Sequence, residues 1–388
     1  MGERHADGAT ILGVPLADLR RDRTSVKWGR YEPDVIPMWI AEMDCAPCPA
    51  VVDAVGAAVA RGDTGYALTQ EYAAEIAAFA AAEWGWGFDV DSTTRVADVL
   101  TGVTHLLGLL TDPGGPVVVS PPVYNAFYEV IEACGRQVVE APLGPDHRLD
   151  LDRLADVFAE VTARGDRAAY LLSNPHNPTG TVHTRDELAA LARVADERGV
   201  RVVSDEIHGP LVLPTSTFTP YLTVAGAELG ITVTSASKAW NLAGLKAAII
   251  VPGADAADEV RRLHPWVTFG ASHLGVIAQT AAYRDGREWV HRLVRELDAN
   301  RRLLAELVAA QLPGARLVVP EATYLAWLDL SGLGLGDDPT GEVLRRARVA
   351  LSPGPIFGSG GAGHARLNYA TSPDILREAI ERIAGCLG

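Results

Sequence analysis

The sequence predicts an α/β fold built on a mainly parallel, doubly wound sheet. Two observations carry this. Between about residues 96 and 252, short Val/Ile/Leu-rich runs lack the polar alternation of a half-exposed strand, as strands buried on both faces do. Helical patterns separate those runs, and strand–helix alternation of this kind builds a parallel sheet covered on both sides.

The runs are VADVL (96–100), PVVVS (116–120), QVVEA (137–141), AAYLLS (168–173), VRVVSD (200–205), ITVTS (231–235) and KAAIIV (246–251). Helices are expected at 123–134 and 185–198. The second starts at Thr184, with Glu187 placed for a capping box, and stops at Gly199. A long helical pattern from about Glu288 to Leu312, ended by Pro313-Gly314, leads to a smaller α+β part. That part carries strands near 316–319, 323–329 and 365–369, a helix near 340–349 and a last helix from Pro373. The expected division is a large domain over 46–287 and a small domain made of 1–45 and 288–388.

A chain of 388 residues suffices for two such cores. Its net charge of −15 gives no electrostatic drive toward nucleic acid or anionic membranes, which leaves small-molecule chemistry. The N-terminal MGERHADGATILG has charges and glycines where a signal peptide needs an apolar stretch, and no run reaches the ~18 apolar residues of a membrane span. A cytoplasmic location is the resulting expectation. Four cysteines are too few for a disulfide framework. The Cys45–Cys48 pair lacks both a second ligand pair for zinc and a thioredoxin-like setting, so these thiols are expected to be reduced.

Two motifs mislead. Gly358-Ser359-Gly360-Gly361-Ala362-Gly363 fits G-x-G-x-x-G but precedes a strand-like run, whereas dinucleotide binding needs a helix there. Ser235-Ala236-Ser237-Lys238 fits the S-x-x-K of penicillin-recognising enzymes, whose S-D-N and K-T-G triplets are absent.

The informative residues converge on strand ends. Asn177 lies in NPHNPTG after one strand, Asp205 ends the next in SDEIH, and Lys238 follows a third in TSASK. Lys246 comes eight residues later, and Gly102-Val103-Thr104 is read as opening a helix after VADVL, an arrangement suited to a phosphate. Open α/β sheets bind ligands beyond the carboxyl ends of their strands. An amine nucleophile, a carboxylate, an amide, two hydroxyls and an anion site on one edge are what pyridoxal-phosphate (PLP) chemistry requires.

At these residues the chain resembles the fold-type I aminotransferases, and within them the MalY/PatB group of cystathionine β-lyase-like C–S lyases. The likeness runs through KWGRYEPDVIPMWIAEMD (27–44), TGYALTQEY (64–72), SPPVYNAFY (120–128), NPHNPTG, SDEIHGPLVL, TSASKAWNLAGLK, ATYLAWLDL (322–330) and FGSGGAGHARLNYA (357–370). SDEIH together with SKAWNLAGLK is the part specific to the lyase group, since ordinary aspartate-type transaminases usually have Tyr in place of His208 and Arg in place of Lys246.

The resemblance implies a PLP-dependent transferase fold and a role for each matching residue. Lys238 carries the cofactor and acts as acid and base at the substrate α-carbon. Asp205 pairs with the pyridine nitrogen, Asn177 bonds the ring oxygen with His208 nearby, and Tyr124 stacks on the ring. Val103, Thr104, Ser235, Ser237 and Lys246 hold the phosphate. Tyr66 reaches the neighbouring subunit's site, which implies a homodimer, and is the candidate proton donor to the leaving sulfur. Arg366 grips the α-carboxylate beside Asn177, and Trp39 lies near the substrate side chain. The implied reaction is α,β-elimination on L-cystathionine or another L-cysteine S-conjugate. The alternatives are an aminotransferase, or an enzyme of specialised metabolism taking a larger conjugate. A regulator that has lost turnover is disfavoured by Lys238, Asp205 and Arg366 occurring together. The chain departs from the group at Ala41–Cys45, Gly209–Leu211 and Thr217–Pro220, which are expected to touch the distal end of the substrate.

Overall fold

The computed structural model describes residues 10–68 and 70–387. Most of the N-terminal run read for a signal peptide, and the start of the expected small domain, lie outside the described residues. Three sheets organise the chain. The largest has β2 (Thr94–Val96), β3 (Pro116–Val119), β4 (Gln137–Glu140), β5 (Ala169–Ser173), β6 (Arg201–Asp205), β7 (Ile231–Thr234) and β8 (Ala248–Pro252). Their order is β2-β8-β7-β6-β5-β3-β4. Strands β3 to β7 pair in parallel, while β8 runs antiparallel to both β7 and β2. The doubly wound expectation holds, with one reversed strand.

Its strands are buried on both faces because helices cover both. Helices Leu151–Thr162 and Arg185–Arg198 pack Leu154, Phe158, Leu188 and Leu191 against Tyr170 and Leu172 of β5. On the other face, helix Val99–Leu110 packs Val103, Leu106 and Leu107 against Val203, Val233 and Ile250. Arg185–Arg198 begins and ends where its sequence signals put it. The Thr184 hydroxyl accepts from the Glu187 N–H, the Glu187 carboxylate accepts from the Thr184 N–H, and Gly199 takes the left-handed conformation at φ 66°.

One expected strand is wrong. VADVL supplies β2 only at its first residue, and Val99 and Leu100 already belong to a helix capped by Asp98, which accepts from Thr101 N at 2.8 Å. Val99, Val103, Leu106, Leu107 and Leu110 are all buried at helical spacing, so the apolar run was the start of a 3.6-residue period.

The C-terminal part holds β9 (Arg316–Leu317), β10 (Leu325–Asp329), β12 (Ser352–Pro353) and β13 (His364–Asn368) in one antiparallel sheet. Helices Arg287–Gln311 and Pro373–Gly385 cover it. Near the start of the chain, β1 (Ile36–Pro37) pairs in parallel with β11 (Val349–Ala350), which ties the two ends of the sequence together. The following segment crosses to the middle of the molecule. A buried Lys27–Asp44 ion pair at 2.8 Å, the Asn241 amide on Met43 and the Asn368 amide on Ile40 and Glu42 hold it there. Among the described residues all four cysteines are free, and burial pushes the Cys45 thiol up to about 12, which leaves it an inert core residue. Gly358–Gly363 is a loop between a short turn and β13, so no helix follows the glycines.

Candidate active site

Parallel strands deliver the residue after each C-terminal end to one edge of the large sheet. At the end of β5 stands Ser173 with Asn177 beyond it, at the end of β6 stands Asp205, and beyond β7 come Ser235, Ser237 and Lys238. All of them line one cavity of about 150 Å³, with Tyr124, His208, Lys246, Ala41 and Asp98–Leu100.

The Lys238 amine donates to the Ala41 carbonyl at 2.9 Å. Burial lowers its pKa to about 8, Arg366 acts in the same direction, and Asp205 opposes them. Asp205 is buried and, among the described residues, accepts only from the Ile207 N–H, at 3.1 Å. Burial raises its carboxyl to about 7, against the pull of that N–H and of Lys238. A carboxylate held with so little compensation is poised for a cationic partner. His208 is buried, its Nδ1 has no partner, and burial holds its ring neutral with a pKa of about 3.

Arg366, on β13 beside β12, is 5% exposed. Its guanidinium donates to Asn177 Oδ1 and the Trp39 carbonyl, both at 3.1 Å, and to Ser352 Oγ at 3.4 Å, with Phe357 beneath at 4.9 Å. Its Nε is buried without a partner and no carboxylate faces it among the described residues. Burial lowers its pKa to about 10. A dry cation without an anion is costly, and sites built to receive an anionic ligand carry that cost. Trp39 meets this fork through its carbonyl, while its ring packs edge-on against Tyr31 and under Arg30.

Two expected phosphate ligands fall outside the cavity. Val103 is fully buried among the apolar side chains of the core, and the Thr104 hydroxyl donates to Leu100 O at 2.8 Å, one turn too deep in the helix. The first turn lies at Asp98–Thr101, so the unpaired N–H groups belong to Val99 and Leu100. Lys246 meets this turn through Asp98, at 2.8 Å. Burial alone would raise Asp98, but Lys246 and the Thr101 N–H prevail and hold it below the usual range. Ser235 lines the cavity with its hydroxyl turned to the Ala247 carbonyl at 2.6 Å.

Tyr66 is 87% exposed, lies edge-on to Phe269 at 5.9 Å, and does not line the cavity of its own chain. Of the departures from the lyase group, Ala41 lines the cavity. Gly209, Pro210 and Thr217–Thr219 instead border a separate cleft with Phe79, Trp84 and Val290. There Gly209 packs against the Phe218 ring, which leaves no room for a Cβ. Sequence reasoning missed Asp98 and Ser173. The N-cap residue type was the available signal for Asp98.

The family model for class I and II aminotransferases matches residues 33–383. The chain belongs to that family. Within it, a Mycobacterium tuberculosis protein provisionally named cystathionine beta-lyase is 48% identical, over 96% of this chain and 97% of its own. Cystathionine beta-lyase PatB of Bacillus subtilis is 32% identical, over 95% and 99%. A Corynebacterium diphtheriae crystal structure, provisionally described as a PLP-dependent beta-cystathionase, superposes with a TM-score of 0.91 at 34% identity, covering 97% and 99% of the two chains. This member of the aminotransferase family thus has the PLP-enzyme fold of type I, as its sequence implied.

Proposed function

We propose that the protein is a PLP-dependent C–S β-lyase that cleaves L-cystathionine or another L-cysteine S-conjugate to a thiol, pyruvate and ammonia. One observation carries the reading. Lys238 and Asp205 share a cavity whose neighbour is a buried guanidinium without an anion, and the curated relatives bearing a lyase name cover nearly the whole chain.

The residues fit the cofactor. Asp205, poised for a cation, would face the pyridine nitrogen, and Asn177, with His208 nearby, would face the ring oxygen. Tyr124 would cover the ring. The Val99 and Leu100 N–H groups, Ser235, Ser237 and Lys246 would hold the phosphate. PLP, when bound, supplies the electron sink that makes the substrate α-proton removable. Arg366 orients the substrate by its α-carboxylate, an anion that its fork accepts in two bonds. Lys238, with its amine lowered toward neutrality, removes the α-proton and returns it as an acid. The neutral His208 adds no charge to the site.

Tyr66, Leu68, Trp266 and Phe269 are exposed, and the Trp266 and Tyr66 rings both contact Phe269. This apolar patch supports a homodimer in which Tyr66 serves the partner's site as proton donor to the leaving sulfur. We read 46–287 as the PLP-binding domain and 1–45 with 288–388 as the small domain. Among the described residues no helix is long and apolar enough to cross a membrane, and a cytoplasmic amino-acid enzyme is the accompanying reading.

Elimination and transamination share proton removal and part at the next step. Incubation with excess S-alkyl L-cysteine, without keto acid, separates them. A lyase releases thiol, pyruvate and ammonia and keeps turning over. Arrest after one equivalent, with restart on adding a keto acid, overturns the lyase reading in favour of an aminotransferase.

A further inference from the structure

Seven of the residues lining the cavity come from one segment, 235–247, and that segment has little regular structure of its own. What holds it is a side chain outside the cavity. Gln279, fully buried on helix His273–Asp285, places its amide between the two ends of the segment. Its Oε1 accepts from the Ala236 N–H at 3.0 Å and from the Tyr72 hydroxyl at 2.8 Å. Its Nε2 donates to the Ala247 carbonyl at 2.8 Å and to Leu245 O at 3.2 Å. Both acceptor positions and both donors of the amide are used, which no other side chain reproduces in that space. The Ser235 hydroxyl also lies 3.0 Å from Oε1. That hydroxyl donates to Ala247 O and receives the Ser237 N–H, and so extends the clamp to the residue before Lys238.

A second observation on the same helix agrees. Gly275 stands four residues before Gln279, on the same face. A Cβ there would meet Lys246 O at 2.6 Å and Leu245 O at 2.9 Å. The bare glycine lets the far end of the segment lie against the helix, where the Ser272 N–H also bonds Lys246 O at 2.7 Å.

We propose that Gln279 is a positioning residue that sets the Lys238 segment for cofactor capture. Through Tyr72 it also ties that segment to helix Gln70–Trp84, whose N-terminal approach carries Tyr66. This rests on the PLP reading. A loosened segment admits water to Lys238, so its amine moves back toward an ordinary lysine.

The test uses the full-length apoprotein titrated with PLP, followed by tryptophan fluorescence and by the absorbance of the lysine-bound cofactor against pH. Gln279→Leu is expected to weaken PLP binding at least about tenfold, since several buried groups lose their partners. It should also raise the pH midpoint of lysine loading above the wild-type value. Tyr72→Phe, which removes one donor and keeps the ring, should weaken binding about threefold. It is the variant to read if Gln279→Leu does not fold. Leu304→Ala, a core truncation in helix Arg287–Gln311, serves as the stability control and should lower the melting temperature without moving the PLP affinity or the pH midpoint. The inference is overturned if Gln279→Leu, or Tyr72→Phe read in its place, keeps wild-type affinity and midpoint. It is equally overturned if Leu304→Ala shifts both as far. Failure of wild-type protein to bind PLP would instead overturn the cofactor reading beneath it.

Discussion

Arg366→Ala should abolish the preference of the enzyme for a free α-carboxylate. Truncating one member of a buried charge pair costs about 2–5 kcal/mol, much of it from the charge left behind. At 1.36 kcal/mol per factor of ten, that is about 30-fold to 5,000-fold in kcat/KM. The structure argues for the upper half. The guanidinium is 5% exposed, lies on Phe357, and is already held by Asn177, Trp39 and Ser352, so no rearrangement is needed to meet the substrate. A loss of at least about 400-fold is expected. Arg366→Lys should recover only part, because an ammonium with three donors cannot hold Asn177 and the Trp39 carbonyl and still give a carboxylate two bonds. The assay compares kcat/KM for an S-alkyl L-cysteine with that for its methyl ester, in protein whose bound cofactor has been quantified by absorbance. Wild type should favour the acid strongly and the variant should not. An acid-to-ester ratio that survives the substitution refutes the assignment, whatever happens to the absolute rates.

Borohydride reduction and peptide mapping should find the phosphopyridoxyl label on Lys238, and a label on Lys246 or elsewhere would sink that assignment. Because only the neutral amine attacks, and Lys238 is lowered to about 8, the loading rate of apoprotein should rise with pH and level off above about 8. Asp205→Asn should cost far more in kcat than in PLP affinity. Asp205 also bears on stability: its folded pKa, about 7, lies above the unfolded value, so wild-type apoprotein loses stability as pH rises from about 4 to 7. The Asn variant should escape that loss, becoming the more heat-stable apoprotein above pH 7 by up to about 4 kcal/mol; equal melting curves at every pH would refute the account. Finally, Tyr66→Phe and Lys238→Ala protomers, each inactive alone, should regain up to a quarter of wild-type activity when mixed as hybrid dimers. Mixtures that stay inactive would argue against a shared site.

How much of this was legible depends on where the information sits. Asn177, Asp205 and Lys238 could be placed because each follows a short apolar run, and parallel strands bring the ends of such runs to one edge. The start of the helix was misplaced by about one turn. VADVL reads equally as a buried strand or as a helix start, and only the Asp98 cap decides between them. Gln279 left no mark, since its partners are mostly backbone groups more than thirty residues away and no motif surrounds it. Tyr66 was named through resemblance alone, and the single chain shows it merely as an exposed ring. The loops at 209–219 drew attention because they depart from the lyase group; the chain turns away after His208, packs Phe218 on Gly209 and borders a separate cleft, a placement that no motif announces.

The pairing of β1 with β11 has a consequence for biosynthesis. Trp39 meets Arg366 and Ser352, both beyond residue 348, whereas Lys238, Asp205, Lys246 and the Gln279 clamp proposed above are all translated by residue 279. No ribosome-bound chain shorter than 366 residues holds a complete carboxylate fork. The order of synthesis therefore places the residues proposed to capture the aldehyde ahead of the guanidinium proposed to select amino acids.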